Sequence, residues 1–191
     1  MSADLLDLFR ERGALLEGHF LLSSGLHSPR YLQSARVLMD PPLATRLGEE
    51  LAALVRPDLG GRAVTAAVSP ALGGLIIGQE VARALGALAL FTEREAGRMT
   101  LRRGFHLAAG DTVVVVEDVV TTGGSTREVI DALRARGAAV LSAAALVDRS
   151  GGQAGLPVPL RSLLQLDVPT WAAESCPLCA GGSAAVKPGS R

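Results

Sequence analysis

Lysine is almost missing from this chain. Of 19 basic residues only Lys187 is a lysine, which argues against Schiff-base chemistry and against a Walker-type phosphate site. Arginine must carry any charged phosphate contact. Cysteine is as scarce: Cys176 and Cys179 share one Cys-Pro-Leu-Cys run, too few for a disulfide framework. The first residues offer no basic region followed by an apolar signal run, so a cytoplasmic location is expected. The longest apolar stretches, such as 138–147, are interrupted by Ser142 and fall well short of the roughly 20 residues a membrane span needs. Net charge is absent too, because 19 acidic residues cancel the 19 basic ones. No whole-molecule field gathers nucleic acid or an anionic membrane, and neither partner is expected. Aromatics make up only 3%, so Trp171 and the phenylalanines read as packing residues and not as base-stacking platforms.

Alanine, leucine and valine are plentiful. With 48% hydrophobic and 20% charged residues, the composition is that of a globular chain. A length of 191 residues suits one substantial domain with an appendage. Ser2 is placed to cap a first helix through Arg12, with Leu5, Leu6, Leu8 and Phe9 on its apolar side and Gly13 as its stop. Residues 18–33, rich in Ser, Gly and His and containing Ser28-Pro29, read as a short strand and loops. Asp40-Pro41 starts a helix in which Leu43, Leu47, Leu51, Leu54 and Val55 recur at helical spacing up to Arg56-Pro57. Apolar stretches at 63–68, 88–91, 113–116 and 138–147 then alternate with helical patterns at 75–85 and 126–136. That alternation predicts an α/β fold, a parallel sheet flanked by helices on both faces. Gly86 and Gly137 stand where left-handed residues would close those helices. The tail, 180–191, is rich in Gly, Ser, Ala and Pro and is expected to be poorly ordered. The chain divides into an N-terminal segment 1–40, an α/β core 41–168 and a tail 169–191 holding the cysteine pair.

Chemistry concentrates between Val113 and Thr126, where a valine run meets Glu117-Asp118 and then Val119-Val120-Thr121-Thr122-Gly123-Gly124-Ser125 opens a helix. In an open α/β sheet, ligands sit beyond the carboxyl ends of the strands, which is where the two acids fall. Thr121 to Ser125 can wrap main-chain N–H groups round a phosphate at a helix N-terminus, with hydroxyls adding donors and glycines allowing close approach. Acids beside such a cradle would repel the phosphate itself, so sugar hydroxyls that also hold Mg²⁺ are the better partners. A ribose 5-phosphate fits both halves. The plain alternative is a capped strand-turn-helix connection with incidental solvent-facing acids.

These residues resemble the signature of the phosphoribosyltransferase family, an apolar strand, two acids and a Thr/Ser/Gly phosphate loop that together bind phosphoribosyl pyrophosphate. The stretch Phe20-Leu-Leu-Ser23-Ser24-Gly25-Leu-His27-Ser28-Pro29-Arg30-Tyr31 looks like the N-terminal substrate hood of the orotate phosphoribosyltransferases, and Asp148-Arg149 at a strand end is similar to that branch. The resemblance implies a type I phosphoribosyltransferase core with a small N-terminal hood. It implies transfer of the phosphoribosyl group to orotate, giving orotidine 5'-monophosphate and pyrophosphate in pyrimidine biosynthesis, with Mg²⁺ as cofactor and a homodimer with shared sites. Orotate would be held by Thr121, Arg149, Ser24, Gly25 and Tyr31, an arginine fork being what a carboxylate needs. For Arg149 the structural alternative is a salt bridge to Asp148. The donor's pyrophosphate would lie against Ala71-Leu72-Gly73, in the Ser69-to-Gly74 turn that opens the helix at 75–85.

Between two strands lies a polar insertion, Glu93 to Gly104, containing Arg94, Arg98, Arg102 and Arg103. Read alone it suits a solvated hairpin. The resemblance implies a mobile catalytic loop reaching into the neighbouring subunit's site, neutralising pyrophosphate and excluding water. The chain departs from the family pattern here: Arg94 replaces a lysine, Glu93 an arginine and Met99 the histidine. Ser23 stands where many relatives carry an orotate-contacting lysine, leaving His27 or Arg30 as stand-ins. Cys176 and Cys179 have the spacing of a zinc knuckle, but the sequence offers no second paired motif to complete four ligands unless a site is shared across a dimer. A purine-base phosphoribosyltransferase would keep the phosphate motif without needing Arg149. A non-catalytic regulator that senses phosphoribosyl pyrophosphate would need a nucleic-acid-binding module for which the chain has no room.

Overall fold

The computed structural model describes residues 2–22 and 24–188. Ser23 lies outside the described residues, as does the proposed Ser2 side-chain cap. In chain order the elements are α1 (Ser2–Glu11), β1 (Leu15–Leu21), β2 (His27–Leu32), α2 (Ala35–Leu38), α3 (Pro41–Val55), β3 (Ala66–Pro70), α4 (Leu75–Leu85), β4 (Leu88–Glu95), β5 (Arg98–Leu101), β6 (Thr112–Val120), α5 (Gly124–Arg134), β7 (Ala139–Asp148), β8 (Leu160–Gln165) and α6 (Pro177–Ala180). The main sheet runs β5-β4-β3-β6-β7-β8, and only the edge strand β5 is antiparallel. The small sheet is the antiparallel β1-β2 pair.

Alternation along the central strands explains why their sequences read as unbroken apolar runs. Ala67, Val114, Val116, Ala144 and Leu146 pack on one face with Leu47 and Leu51 of α3 and Ile77 and Val81 of α4. Ala66, Val68, Val113, Val115 and Ala143 pack on the other with Val129, Ile130 and Leu133 of α5. A strand buried on both faces needs apolar residues at every position. Phe9 of α1 and Val37 and Leu38 of α2 join the first of these clusters, so the N-terminal segment is seated on the same core as the sheet.

Helix punctuation follows the expected chemistry. Asp40 caps α3 by accepting from Leu43 N–H at 3.4 Å, with proline next in the chain. Gly86 and Gly137 are left-handed, at φ +67° and +84°. Other expectations shift. The strand foreseen from 63 begins at Ala66 and continues to Pro70, and the helix foreseen over 126–136 is Gly124–Arg134, its start set by the left-handed Gly123. The stretch 18–33 holds two paired strands and not one. β8 was not foreseen: Leu160-Arg-Ser-Leu-Leu-Gln alternates poorly because this edge strand buries little beyond Leu164. The polar insertion 93–104 contains the turn of the β4-β5 hairpin, at Ala96-Gly97, the form it suggests when read alone.

The tail, expected to be poorly ordered over 180–191, is paired where it is described; 189–191 lie outside the described residues. It docks on the hood: Val186 N–H donates to His19 O at 2.8 Å, Leu21 N–H to Val186 O at 2.9 Å, and His27 and Trp171 exchange backbone hydrogen bonds at 2.8 and 3.0 Å. Its small residues allow close main-chain pairing, which composition alone reads as disorder.

Candidate active site

β6 is buried through Val116 and delivers Glu117 and Asp118 to the floor of a cavity of about 590 Å³. Val119, Val120 and every residue from Thr121 to Thr126 line the same cavity. Gly123 is left-handed at φ +76°, and a Cβ there would sit 2.8 Å from Ala154 O, so only glycine lets the chain turn this tightly into α5. No side chain caps α5. Its first-turn N–H groups, which helix geometry leaves without intrahelical partners, are therefore available to an anion.

The two acids differ in state. Glu117 is buried, and loss of solvent raises its carboxyl well above the usual range, with the Asp118 charge adding to the effect. Asp118 is half-buried; its Oδ2 accepts from Ser34 Oγ and its N–H donates to Glu117 Oε1 at 3.3 Å. Among the described residues neither acid has an ion-pair partner. The pair thus offers acceptors that hydroxyl donors or a cation would satisfy. Burial raises the Tyr31 phenol, and the nearby Asp118 charge adds to the effect.

Opposite the cradle, the Ser69-to-Gly74 turn approaches the acids. A Cβ on Gly73 would fall 2.7 Å from both Asp118 carboxylate oxygens, so glycine is required for that approach. Leu72 is largely exposed, and none of Ala71, Leu72 and Gly73 lines the cavity.

A second cavity of about 270 Å³ adjoins the first and shares Ser24, Thr121 and Thr122 with it. Leu22, Leu26 and Thr170 close it from the hood and tail, and Arg149, Ser150 and Gln153 from the end of β7. Arg149 N–H donates to Val120 O at 2.7 Å, which fixes its backbone to β6. Its Nη2 donates to Ser28 Oγ at 3.0 Å, while its Nε is buried without a partner. Burial pulls this guanidinium below its ordinary pKa. The alternative pairing with Asp148 does not occur: Asp148 Oδ1 accepts from Ser150 N–H at 2.8 Å. A half-buried, incompletely satisfied guanidinium lining a pocket is suited to a carboxylate.

The structure therefore gathers Ser24, Thr121 and Arg149 round one pocket and leaves Gly25 and Tyr31 out of its lining. Gly25 instead forms the β1-β2 turn, donating to Leu22 O at 3.0 Å. Of the hairpin arginines, Arg94 lines the larger cavity of its own chain and pairs with Glu128 at 3.1 Å. Arg102 pairs with Glu95 and Arg103 with Glu93. Arg98 is exposed at the hairpin tip. Sequence reasoning missed Ser34, 84 positions from the carboxylate it touches, and the pocket roles of Leu22, Leu26, Gln153 and Thr170. No local pattern marks these residues; only the fold brings them together.

Comparison with known proteins agrees with this geometry. The phosphoribosyl transferase domain family matches residues 38–156. An orotate phosphoribosyltransferase of Heliobacterium modesticaldum is 56% identical over the whole of both chains, and one from Thermotoga maritima is 51% identical, covering 97% of each. Among solved structures, the orotate phosphoribosyltransferase of Aeropyrum pernix is similar with a TM-score of 0.68 and 32% identity, covering 85% of this chain and 93% of its own. Adenine phosphoribosyltransferase of Thermoanaerobacter pseudethanolicus, at 19% identity and a TM-score of 0.61, covers 72% of this chain and 88% of its own and shares the fold. With the acid pair, the lysine-free cradle and the hood already in place, these similarities settle the assignment: the chain belongs to the phosphoribosyltransferase family, in its orotate phosphoribosyltransferase branch.

Proposed function

We propose that this chain transfers the phosphoribosyl group of phosphoribosyl pyrophosphate to orotate, releasing orotidine 5'-monophosphate and pyrophosphate for pyrimidine nucleotide synthesis. The carrying observation is Arg149, whose buried Nε lacks a partner and whose pocket adjoins the phosphate cradle. A purine carries no carboxylate to occupy that guanidinium.

In this reading Thr121 to Ser125 anchor the 5'-phosphate, and Glu117 and Asp118 accept from the ribose hydroxyls. Ala71, Leu72 and Gly73 lie along the pyrophosphate. Arg149 and Thr121 orient orotate, with Ser24 at the boundary between base and sugar. The bond from the anomeric carbon to pyrophosphate breaks as the orotate ring nitrogen bonds to that carbon. No enzyme nucleophile is required, so positioning does most of the work. The unpaired acids and open cavity suit a hydrated Mg²⁺ held mainly by substrate oxygens. When bound, that ion spreads the negative charge of the departing pyrophosphate.

The hairpin supplies the remaining positive charge. Arg94 faces its own chain's cavity, whereas Arg98, Arg102 and Arg103 are assigned to the partner's site in a cytoplasmic homodimer. The exposed ion pairs of Arg102 and Arg103 are weak enough to exchange for pyrophosphate oxygens. Following orotate absorbance with and without Mg²⁺, beside parallel assays with adenine and xanthine, tests the reading. Magnesium-dependent loss of orotate alone is expected, and turnover of a purine in place of orotate would overturn it.

A further inference from the structure

The hood and tail enclose a cluster that the transferase chemistry does not use. His19 on β1 and His27 on β2 are both buried, and Cys176 and Cys179 flank the start of α6 beside them. His19 Nε2 lies 2.8 Å from His27 Nδ1, 3.5 Å from Cys176 Sγ and 3.8 Å from Cys179 Sγ. His27 Nδ1 lies 3.3 Å from Cys179 Sγ. All four atoms fall within 4.8 Å of one another. A tetrahedral zinc ion, with Zn–S of about 2.3 Å and Zn–N of about 2.0 to 2.1 Å, spaces its ligand atoms about 3.3 to 3.8 Å apart. Three of the four nitrogen–sulfur separations meet that spacing and the fourth lies within 4.8 Å, while the two ring nitrogens need only a small opening.

We propose that His19, His27, Cys176 and Cys179 bind a structural zinc ion that fastens the C-terminal tail to the substrate hood. The surroundings of His19 favour it. Ser183 O lies 2.9 Å from His19 Nδ1; a carbonyl only accepts, so Nδ1 carries the proton and Nε2 turns its lone pair toward the cluster, as metal-binding imidazoles do. Two thiolates balance the charge of Zn²⁺, making the buried site neutral, and the two thiol protons leave to solvent on binding. Soft sulfur with imidazole selects zinc over magnesium. The second ligand pair that the cysteine spacing lacked is supplied within the same chain by two strands of one hairpin. His27 immediately precedes Ser28, the Arg149 partner, and Thr170 of the Arg149 pocket immediately precedes Trp171, which pairs with His27. The ion therefore holds both walls of that pocket.

The test is metal content by mass spectrometry on full-length protein, grown with zinc and purified without a metal-affinity step. About one zinc per chain is expected in the wild type, with loss of the metal and a lower melting temperature in Cys176→Ser/Cys179→Ser. Should that variant fail to fold, chelated wild-type protein refilled with Co²⁺ is expected to show the strong visible absorption of a tetrahedral, thiolate-ligated ion. Zinc-free wild type with no cobalt spectrum, a Cys176–Cys179 disulfide in protein prepared without oxidant, or zinc retained by the double variant would each overturn the proposal. These readings need no substrate, so they stand apart from the orotate assay.

Discussion

One continuous run, Val113 to Thr126, furnishes most of the phosphate cavity, whereas the neighbouring base pocket gathers Leu22, Ser24, Thr121, Arg149 and Thr170 from segments far apart in the chain. The cradle is a local object: a buried strand, a left-handed glycine and a helix start fix it through the backbone. The base pocket is a tertiary object whose walls meet only if the hood and tail stay seated on the core. Substitutions in the cradle should therefore act on donor binding through backbone and charge. Those in the hood should act on orotate through long-range contacts.

The largest effect is expected at Asp118. Asp118→Asn keeps the shape and the Ser34 contact but removes the charge facing the ribose, and kcat/KM should fall by about 10² to 10³-fold, read in the orotate assay with folding checked by circular dichroism. Next comes Gly123→Ala, which forces a Cβ to within 2.8 Å of Ala154 O in a left-handed backbone. A destabilisation of about 1 to 3 kcal/mol and weakened binding of phosphoribosyl pyrophosphate are expected from thermal melts and calorimetry.

Glu117 sharpens the comparison by opposing stability to function. Its folded pKa is raised chiefly by burial, so the fold is favoured below the unfolded carboxylate pKa and loses that contribution as pH rises through the raised value. Glu117→Gln should therefore lose turnover yet melt about 2 to 4 °C higher near neutral pH, with the gain vanishing in acid. A melting series against pH checks both signs. Ser28→Ala should have the smallest effect. It removes the one hydroxyl that accepts from Arg149, and orotate KM should rise by about 2 to 10-fold with little change for the donor.

The same contrast governs what the sequence discloses. The cradle, the helix starts at Asp40 and Leu75, and the doubly buried strands are legible because each depends on neighbours a few residues away. Arg149 stands out through the family resemblance and its place at a strand end, whereas its Ser28 partner lies 121 positions away. Ser34 was invisible, since nothing local marks a serine that meets a carboxylate. The tail was misread for the same reason: glycine and alanine suggest disorder until β1 offers main-chain partners. No local pattern ties His19 and His27 to the cysteines they face, which are 157 and 152 positions away.

The division of labour between cradle and hood is tested most directly by titrating Arg149→Ala separately with orotate and with phosphoribosyl pyrophosphate plus Mg²⁺. Loss of a charge-assisted contact should weaken orotate by about 10 to 100-fold while donor affinity stays within about twofold. Unchanged orotate affinity, or an equal loss for both ligands, would contradict the assignment of base recognition to Arg149.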